Sequence, residues 1–132
     1  MPTLFTRIIN REIPAHIVAE DERFLAFLDI SPLVEGHTLV VPKKENDYIF
    51  NLDDETLSGL HLFAKKVALA IEVVIPCKRI GVSVIGIEVP HTHVHLVPLT
   101  SADDLNFTRP KLTPTQAELK SVADKIVAAL RS

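Results

Sequence analysis

The alternation of apolar and polar residues along the chain predicts a set of short strands. The runs at 17–20 and 24–29 predict two strands joined by a charged hairpin turn. The β-branched run at 37–41 predicts a third strand, and the runs at 80–85 and 91–98 predict two more.

Helical periodicity marks three further segments. Asp53 and the acidic residues after it supply a cap for a long helix that runs from Asp54 to about Val74 and ends at Pro76. Its apolar residues follow the spacing of a half-buried helix: Leu57, Leu60, Phe63, Ala64, Val67, Ala68 and Ile71. A short helix is predicted at 5–11.

The last helix is predicted from about Thr115 to Leu130, with Pro114 at its first helical position. Leu119, Val122, Ile126 and Leu130 would form its apolar face. The order of elements predicts an α+β fold with an antiparallel sheet of about five strands, one long helix, and short N-terminal and C-terminal helices. We expect one domain over residues 1–132, with a C-terminal helical extension from about residue 101.

Composition narrows the class of protein. The 132 residues are 47% hydrophobic and 23% charged, as in ordinary globular proteins, and the net charge of −3 argues against binding to a nucleic acid polymer. The single cysteine, Cys77, excludes an internal disulfide and fits a reducing compartment. Neither a signal peptide nor a membrane span is evident, so we expect a cytoplasmic protein without membrane contact.

The most informative feature is a histidine at every second position, at His91, His93 and His95. Side chains alternate between the faces of a strand, so all three imidazoles would share one face at a spacing of roughly 6–7 Å. Half of the six histidines of the chain fall within these five residues.

Three interpretations of this run remain open. The histidines could be polar residues on a solvated strand face, although imidazole has no structural advantage there. They could hold zinc, although a straight strand splays its outer members and no nearby pair of cysteines completes a tetrahedral site. They could perform phosphoryl chemistry, with His93 attacking phosphorus while its neighbours bind the phosphate oxygens.

The run His91-Thr-His-Val-His-Leu-Val resembles the signature of the histidine triad (HIT) family of nucleotide hydrolases and transferases. The segment that begins at Phe5, the segment 20–32 and the segment 36–44 are similar to the Hint branch of that family. Together the similar segments cover most of residues 4–45 and 79–98.

The resemblance implies that His93 is the nucleophile and that His91 and His95 flank it. His37 would belong to the same imidazole group, or else be a core histidine satisfied by a backbone carbonyl. Asp29 matches the carboxylate that holds the ribose hydroxyls, and it could alternatively cap the turn at 31–32. The positions that match the base pocket of the family are Leu4, Phe5, Ile8, Phe27 and Ile30.

The segment before the triad departs from the Hint pattern. Ile87 and Glu88 stand where that branch usually carries Gln and a Ser that assists the leaving group. We expect Glu88 and Val89 to contact the nucleotide, and the backbone amides of residues 86–89 to serve as phosphate donors.

The leading hypothesis is therefore an enzyme without metal or cofactor that cleaves purine nucleoside phosphoramidates or dinucleoside polyphosphates at the α-phosphorus through a nucleotidyl-histidine. The alternatives are a nucleotide-binding scaffold with little turnover and, third, a zinc hydrolase. The resemblance also implies a homodimer formed by the long helix and the strand beside it.

Overall fold

The computed structural model describes residues 2–132, in which three helices and five strands follow the predicted order. They are α1 (Leu4–Ile9), β1 (Ile17–Glu20), β2 (Phe24–Leu28), β3 (Thr38–Pro42), α2 (Asp54–Val74), β4 (Arg79–Ser83), β5 (Val94–Leu99) and α3 (Gln116–Leu130). The predicted α+β fold with a five-stranded antiparallel sheet is confirmed. No helix within the described range is long and apolar enough to cross a bilayer.

The sheet has the strand order β1-β2-β3-β5-β4 and separates two apolar layers. Pairing of β3 with β5 sets Val40 opposite Val94 and Leu39 opposite His95. Because side chains alternate along a strand, Val40 and Val94 face α2 and α3, whereas Leu39 and His95 face the other side. That other side is covered in part by α1, through Phe5 and Ile8.

Helix α2 begins and ends where local signals predict. The Asp53 carboxylate accepts a hydrogen bond of 2.7 Å from the N–H of Thr56, and Pro76 follows directly after the C-cap residue Ile75. This cap satisfies a backbone donor that the first helical turn leaves unpaired.

The start of α3 differs from the prediction in one detail. Thr115 is the N-cap residue and forms a capping box with Glu118, so Pro114 precedes the cap and is not the first helical residue. The hydroxyl and the carboxylate satisfy one backbone donor each, and this reciprocal pair decides where the helix begins.

Strand β5 is shorter than the predicted strand at 91–98, because it begins at Val94. Extending the register of β3 and β5 by two residues would set Thr92 opposite Pro42, which has no N–H to donate to a ladder. The N–H of Thr92 instead donates to the carbonyl oxygen of Asn46 at 2.6 Å. His91 and His93 therefore lie in an irregular segment just before the strand, and only His95 lies within it.

Gly36 is required where the chain turns into β3. Its φ of +93° lies in the left-handed region, and a Cβ built there would approach Cγ1 of Ile75 to 2.9 Å. Both the backbone conformation and the close packing exclude a side chain. The turn places His37 immediately before β3, one residue ahead of the ordered ladder.

We expect the C-terminal helix to unfold together with the sheet, as one domain. Ile126 of α3 has no exposed surface and belongs to the apolar layer that contains α2. Replacing Ile126 with Ala should lower the free energy of unfolding by about 2–5 kcal/mol and keep a single urea transition. Replacing the exposed neighbour Lys125 with Ala should change the free energy of unfolding by less than about 0.5 kcal/mol. Two separate transitions would contradict this expectation.

Candidate active site

A cavity of about 610 Å³ opens on the α1 side of the sheet, next to the histidine run. Its wall is formed by α1, the loop after β2, the start of β3, the segment between β4 and β5, the start of β5 and the chain beyond it. The residues predicted for the site that line it are Leu4, Phe5, Asp29, His37, Glu88, Val89, His93 and His95. The cavity therefore brings together four predicted residues. They are the triad members His93 and His95, together with His37 and Asp29.

The remaining predicted residues lie beside or behind the cavity. Ile8 and Phe27 are buried in the apolar layer behind Phe5, whose ring centroid is 5.5 Å from that of Phe27. Ile30 is 62% exposed and does not line the cavity. His91 is completely buried and also does not line it.

Two residues that the sequence analysis missed complete the wall. The ring of Phe107 packs edge-on against the imidazole of His95, with centroids 4.7 Å apart, and Lys111 lines the same cavity. Nζ of Lys111 donates to the carbonyl oxygens of Phe107 at 2.6 Å and of Arg109 at 3.2 Å, so one of its three N–H groups is left for a ligand. The sequence offered one signal for this part of the wall, because Phe107 is a lone aromatic residue in the polar segment between β5 and α3.

The tautomer of His93 follows from its contact with the backbone. Its Nδ1 lies 2.7 Å from the carbonyl oxygen of His91. A carbonyl only accepts, so Nδ1 carries the proton and Nε2 of the neutral ring keeps its lone pair. The ring is 7% exposed and packs against Phe5 and His95. His93 is therefore held at the cavity wall in the tautomer whose Nε2 has a free lone pair.

His37 and His95 are linked by a series of hydrogen bonds whose donors and acceptors can be assigned. The N–H of Leu33 donates to Nδ1 of His37 at 3.0 Å, so the proton of this neutral ring is on Nε2. Nε2 of His37 then donates to Nδ1 of His95, also at 3.0 Å. The remaining N–H, on Nε2 of His95, is available as a donor. The site thus offers a nucleophilic nitrogen on one ring and a hydrogen-bond donor on the ring beside it.

Asp29 is held by the loop that follows β2. Its Oδ1 accepts a hydrogen bond of 2.9 Å from the N–H of Ser31, and Oδ2 lies 3.8 Å from Nε2 of His37. Burial raises the pKa of the Asp29 carboxyl, although the Ser31 hydrogen bond opposes this rise. Within residues 2–132 no hydrogen bond to Oδ2 is present, so Oδ2 can accept one from a ligand.

Asp29, His37 and His95 are close enough to consider as a cation site, because their ligand atoms lie within 4.8 Å of one another. A metal ligand must present a free lone pair, however. The Leu33 N–H occupies the Nδ1 lone pair of His37, and Nε2 carries the proton. The hydrogen-bond pattern therefore suits a relay between imidazoles better than a metal centre.

Burial keeps these imidazoles uncharged. It lowers the pKa of His37 to about 4 and that of His95 to about 3, and it lowers the pKa of His91 as well. The contact of 3.8 Å between His37 and Asp29 is consequently not an ion pair at neutral pH.

A smaller cavity of about 250 Å³ shares Asp29 and His37 with the first but contains neither His93 nor His95. Its wall is mostly apolar and includes Leu112 and Leu119. Of these two cavities, His93 lines only the larger one, which we therefore regard as the candidate site.

The lowered pKa values predict that stability falls as the pH falls. Unfolded histidine titrates near 6.5, whereas folded His37 stays neutral down to about pH 4 and His95 down to about pH 3. Below pH 6.5 the unfolded chain binds protons that the folded chain does not. The unfolding free energy should therefore decrease by up to about 2.7 kcal/mol per pH unit over this window. Urea titrations from about pH 7 to 4.5 measure it.

The exposed residue His61 provides the control, since its replacement by Gln should leave the slope unchanged. A stability that stays constant between about pH 6.5 and 4.5 would contradict the neutral, buried state of His37 and His95.

Comparisons with known proteins identify the family of the chain. The HIT domain family matches residues 10–102 of the chain. An uncharacterised HIT-like protein of Methanocaldococcus jannaschii is 42% identical over 110 residues, which cover 76% of this chain and 81% of that protein. The adenosine 5′-monophosphoramidase of Saccharomyces cerevisiae is 34% identical over 96 residues, which cover 72% of this chain and 61% of that enzyme.

Among solved structures, a HIT-like protein of Bartonella henselae involved in cell-cycle regulation superimposes with a TM-score of 0.83 at 32% identity. The superposition covers 96% of this chain and 95% of that one, so the similarity includes the C-terminal helix. The family match over residues 10–102, these relatives and the arrangement of the histidines show that the chain belongs to the HIT family.

Proposed function

We propose that the protein is an enzyme of the Hint branch that cleaves purine nucleoside phosphoramidates, or dinucleoside polyphosphates, at the α-phosphorus. The observation that supports this most directly is the pair of complementary tautomers at the cavity. Nε2 of His93 has a lone pair, and Nε2 of His95 has a proton. The similarity to the yeast phosphoramidase favours a phosphoramidate as the first substrate to test.

In the first step Nε2 of His93 attacks the α-phosphorus, and the bond from phosphorus to the leaving group breaks. The leaving group departs with that electron pair and takes a proton from solvent, because the lowered pKa of His95 excludes it as a proton source at neutral pH. The Nε2–H of His95 instead stabilises charge on a phosphate oxygen.

The nucleotidyl-histidine that results carries a positive charge, since Nδ1 of His93 keeps its proton. The carbonyl oxygen of His91 accepts that proton in a hydrogen bond and stabilises the charge. Water then attacks phosphorus, and the electron pair of the Nε2–P bond returns to His93. A nucleoside monophosphate leaves, and the proton of the water passes to solvent.

The cavity wall suits a nucleoside. The free Oδ2 of Asp29 can accept a hydrogen bond from a ribose hydroxyl, while the exposed side chain of Leu4 and the ring of Phe5 offer apolar surface to the base. Glu88 and Lys111 line the same cavity, and Lys111 provides positive charge there. The single cysteine supports a reducing compartment such as the cytoplasm as the site of action.

Replacing His93 with Ala should abolish turnover and leave nucleotide binding intact, because the nucleophile is lost while Asp29 and the apolar wall remain. We expect AMP release from adenosine 5′-phosphoramidate to fall by about 10³-fold or more, with the Kd for AMP changed by less than about threefold. The exposed His61, changed to Ala, serves as the control.

Each other outcome of this assay is informative. Equal activity in the His93 variant would contradict the mechanism. AMP binding without turnover of any phosphoramidate or dinucleoside polyphosphate by the unmodified protein would favour a binding scaffold. Activity that a chelator removes would mean that the histidines hold a metal.

We further propose a homodimer formed across β4 and α2. Strand β4 lies at one end of the sheet order, so its outer edge presents unpaired backbone groups. Exposed apolar side chains lie on the same strand, at Val82, and along one face of α2, at Leu62, Leu69 and Val73. A second copy that covers this surface would bury both the edge and the apolar residues.

The mass in solution tests the dimer. Light scattering should give twice the chain mass of 14.6 kDa, and Leu69→Glu should shift the equilibrium to monomer because it buries a carboxylate. Ala117→Glu adds the same charge on the exposed side of α3 and should remain dimeric. A monomer for the unmodified protein at micromolar concentration would contradict the proposal.

A further inference from the structure

A cluster of polar side chains lies on the far side of His91, away from the substrate cavity. It consists of Thr3 and Thr6 at the start of α1, Glu45 in the chain after β3, and the ring of His91. None of these four residues lines the cavity. Since the His91 ring has no exposed surface, its contribution to the reaction has to pass through other groups.

The hydrogen bonds of this cluster have a defined direction. One oxygen of Glu45 accepts both the backbone N–H of Thr3 and the hydroxyl of Thr6, each at 2.8 Å. The hydroxyl proton of Thr6 is therefore used, and the Thr3 hydroxyl is 2.8 Å from Nδ1 of His91. Nε2 of His91 lies 2.8 Å from the carbonyl oxygen of Pro42, so Nε2 carries the ring proton and Nδ1 accepts from Thr3.

The ring of His91 is thus held on both sides, and its backbone is held as well. Its N–H donates to the carbonyl oxygen of Val89 at 2.8 Å. Its own carbonyl oxygen accepts the Nδ1 proton of His93, the contact that leaves the lone pair on Nε2 of the nucleophile. The orientation of the His91 peptide therefore determines the tautomer and the direction of His93.

We propose that Glu45 and Thr3 are positioning residues for the nucleophile, acting through the ring and the carbonyl group of His91. Glu45 holds the backbone N–H of Thr3 and the hydroxyl of Thr6, Thr3 fixes the tautomer and the position of the His91 ring, and the fixed His91 carbonyl orients His93. The expected effect on turnover rests on the proposed function. The expected effect on the tautomer of His93 is independent of it.

Thr3 also caps α1, because its hydroxyl oxygen accepts the N–H of Thr6 at 3.1 Å. A loss of activity on changing Thr3 could therefore come from a displaced helix. Glu45 is an exposed residue, so its replacement leaves the core untouched, but Glu45 also contacts the start of α1. The tautomer of His93, read from its ¹⁵N spectrum, therefore separates the two explanations.

The test uses paired variants in the full-length protein. Thr3→Val keeps the shape and removes the hydroxyl, and Thr3→Ser restores it. Glu45→Ala removes the acceptor, whereas Glu45→Gln keeps an amide oxygen that can accept both hydrogen bonds. Lys44→Ala changes the exposed neighbour of Glu45 and is the control.

We expect kcat to fall about tenfold or more for Thr3→Val and about threefold for Glu45→Ala, with the Kd for AMP nearly unchanged. Thr3→Ser and Glu45→Gln should regain most of the loss. The ¹⁵N spectrum of His93 should show Nδ1 protonated in the unmodified protein and a mixture of tautomers in Thr3→Val.

The ¹⁵N spectrum distinguishes failure of this inference from failure of the proposed function. If the unmodified protein turns over no nucleotide, the tautomer of His93 still reports whether the cluster positions it. Variants Thr3→Val and Glu45→Ala with the unmodified tautomer of His93 would overturn the inference, and so would losses of kcat that Thr3→Ser and Glu45→Gln fail to restore.

Discussion

The hydrogen bond between Nδ1 of His93 and the carbonyl oxygen of His91 is the contact on which the chemistry of this site depends. A neutral imidazole has one donor and one acceptor, and only the tautomer with the lone pair on Nε2 can attack a phosphorus atom in the cavity. The opposite tautomer would set a lone pair against a carbonyl oxygen and leave a buried acceptor unpaired, at a cost of about 1–3 kcal/mol. The backbone carbonyl of His91 thus selects the tautomer of His93 that the proposed mechanism requires.

The same principle extends to the other buried histidines. The backbone N–H of Leu33 determines the tautomer of His37, which determines that of His95, and the carbonyl oxygen of Pro42 determines that of His91. Burial of these imidazoles is tolerated because the described residues leave no buried side-chain polar atom without a hydrogen-bond partner. Burial then lowers the pKa of His37, His91 and His95 and keeps these three rings neutral at neutral pH.

Much of the fold could be predicted because its signals are local. Asp53 and Pro76 delimit α2, and alternation along the chain identifies β1 and β2. The start of β5 could not be predicted, since it depends on Pro42 in another strand and on the carbonyl group of Asn46. For the same reason the depth of His91 could not be predicted from its place in an alternating run.

The candidate site shows the same division. Asp29 and His37 were expected near the triad through the family resemblance. In the structure His37 forms a hydrogen bond with His95, and Asp29 lies 3.8 Å from His37. Phe107 and Lys111 were missed because they lie beyond the segments that resemble the family. Their approach to the cavity depends on tertiary packing, and periodicity within their own segment contains no information about it.

The loop from Asp29 to His37 connects these separate parts into one site. Within this loop the N–H of Ser31 donates to the Asp29 carboxylate and holds it in place. The N–H of Leu33 donates to Nδ1 of His37 and so determines the tautomer of His37. The loop also anchors the C-terminal segment, because the carbonyl oxygen of Pro32 accepts the N–H of Leu112 at 2.9 Å. A displacement of this loop would therefore move the Asp29 carboxylate, the hydrogen-bond donor on His95 and Lys111 together. The two apolar layers and the left-handed turn at Gly36 oppose such a displacement, so the stability of the fold and the geometry of the site have a common structural basis.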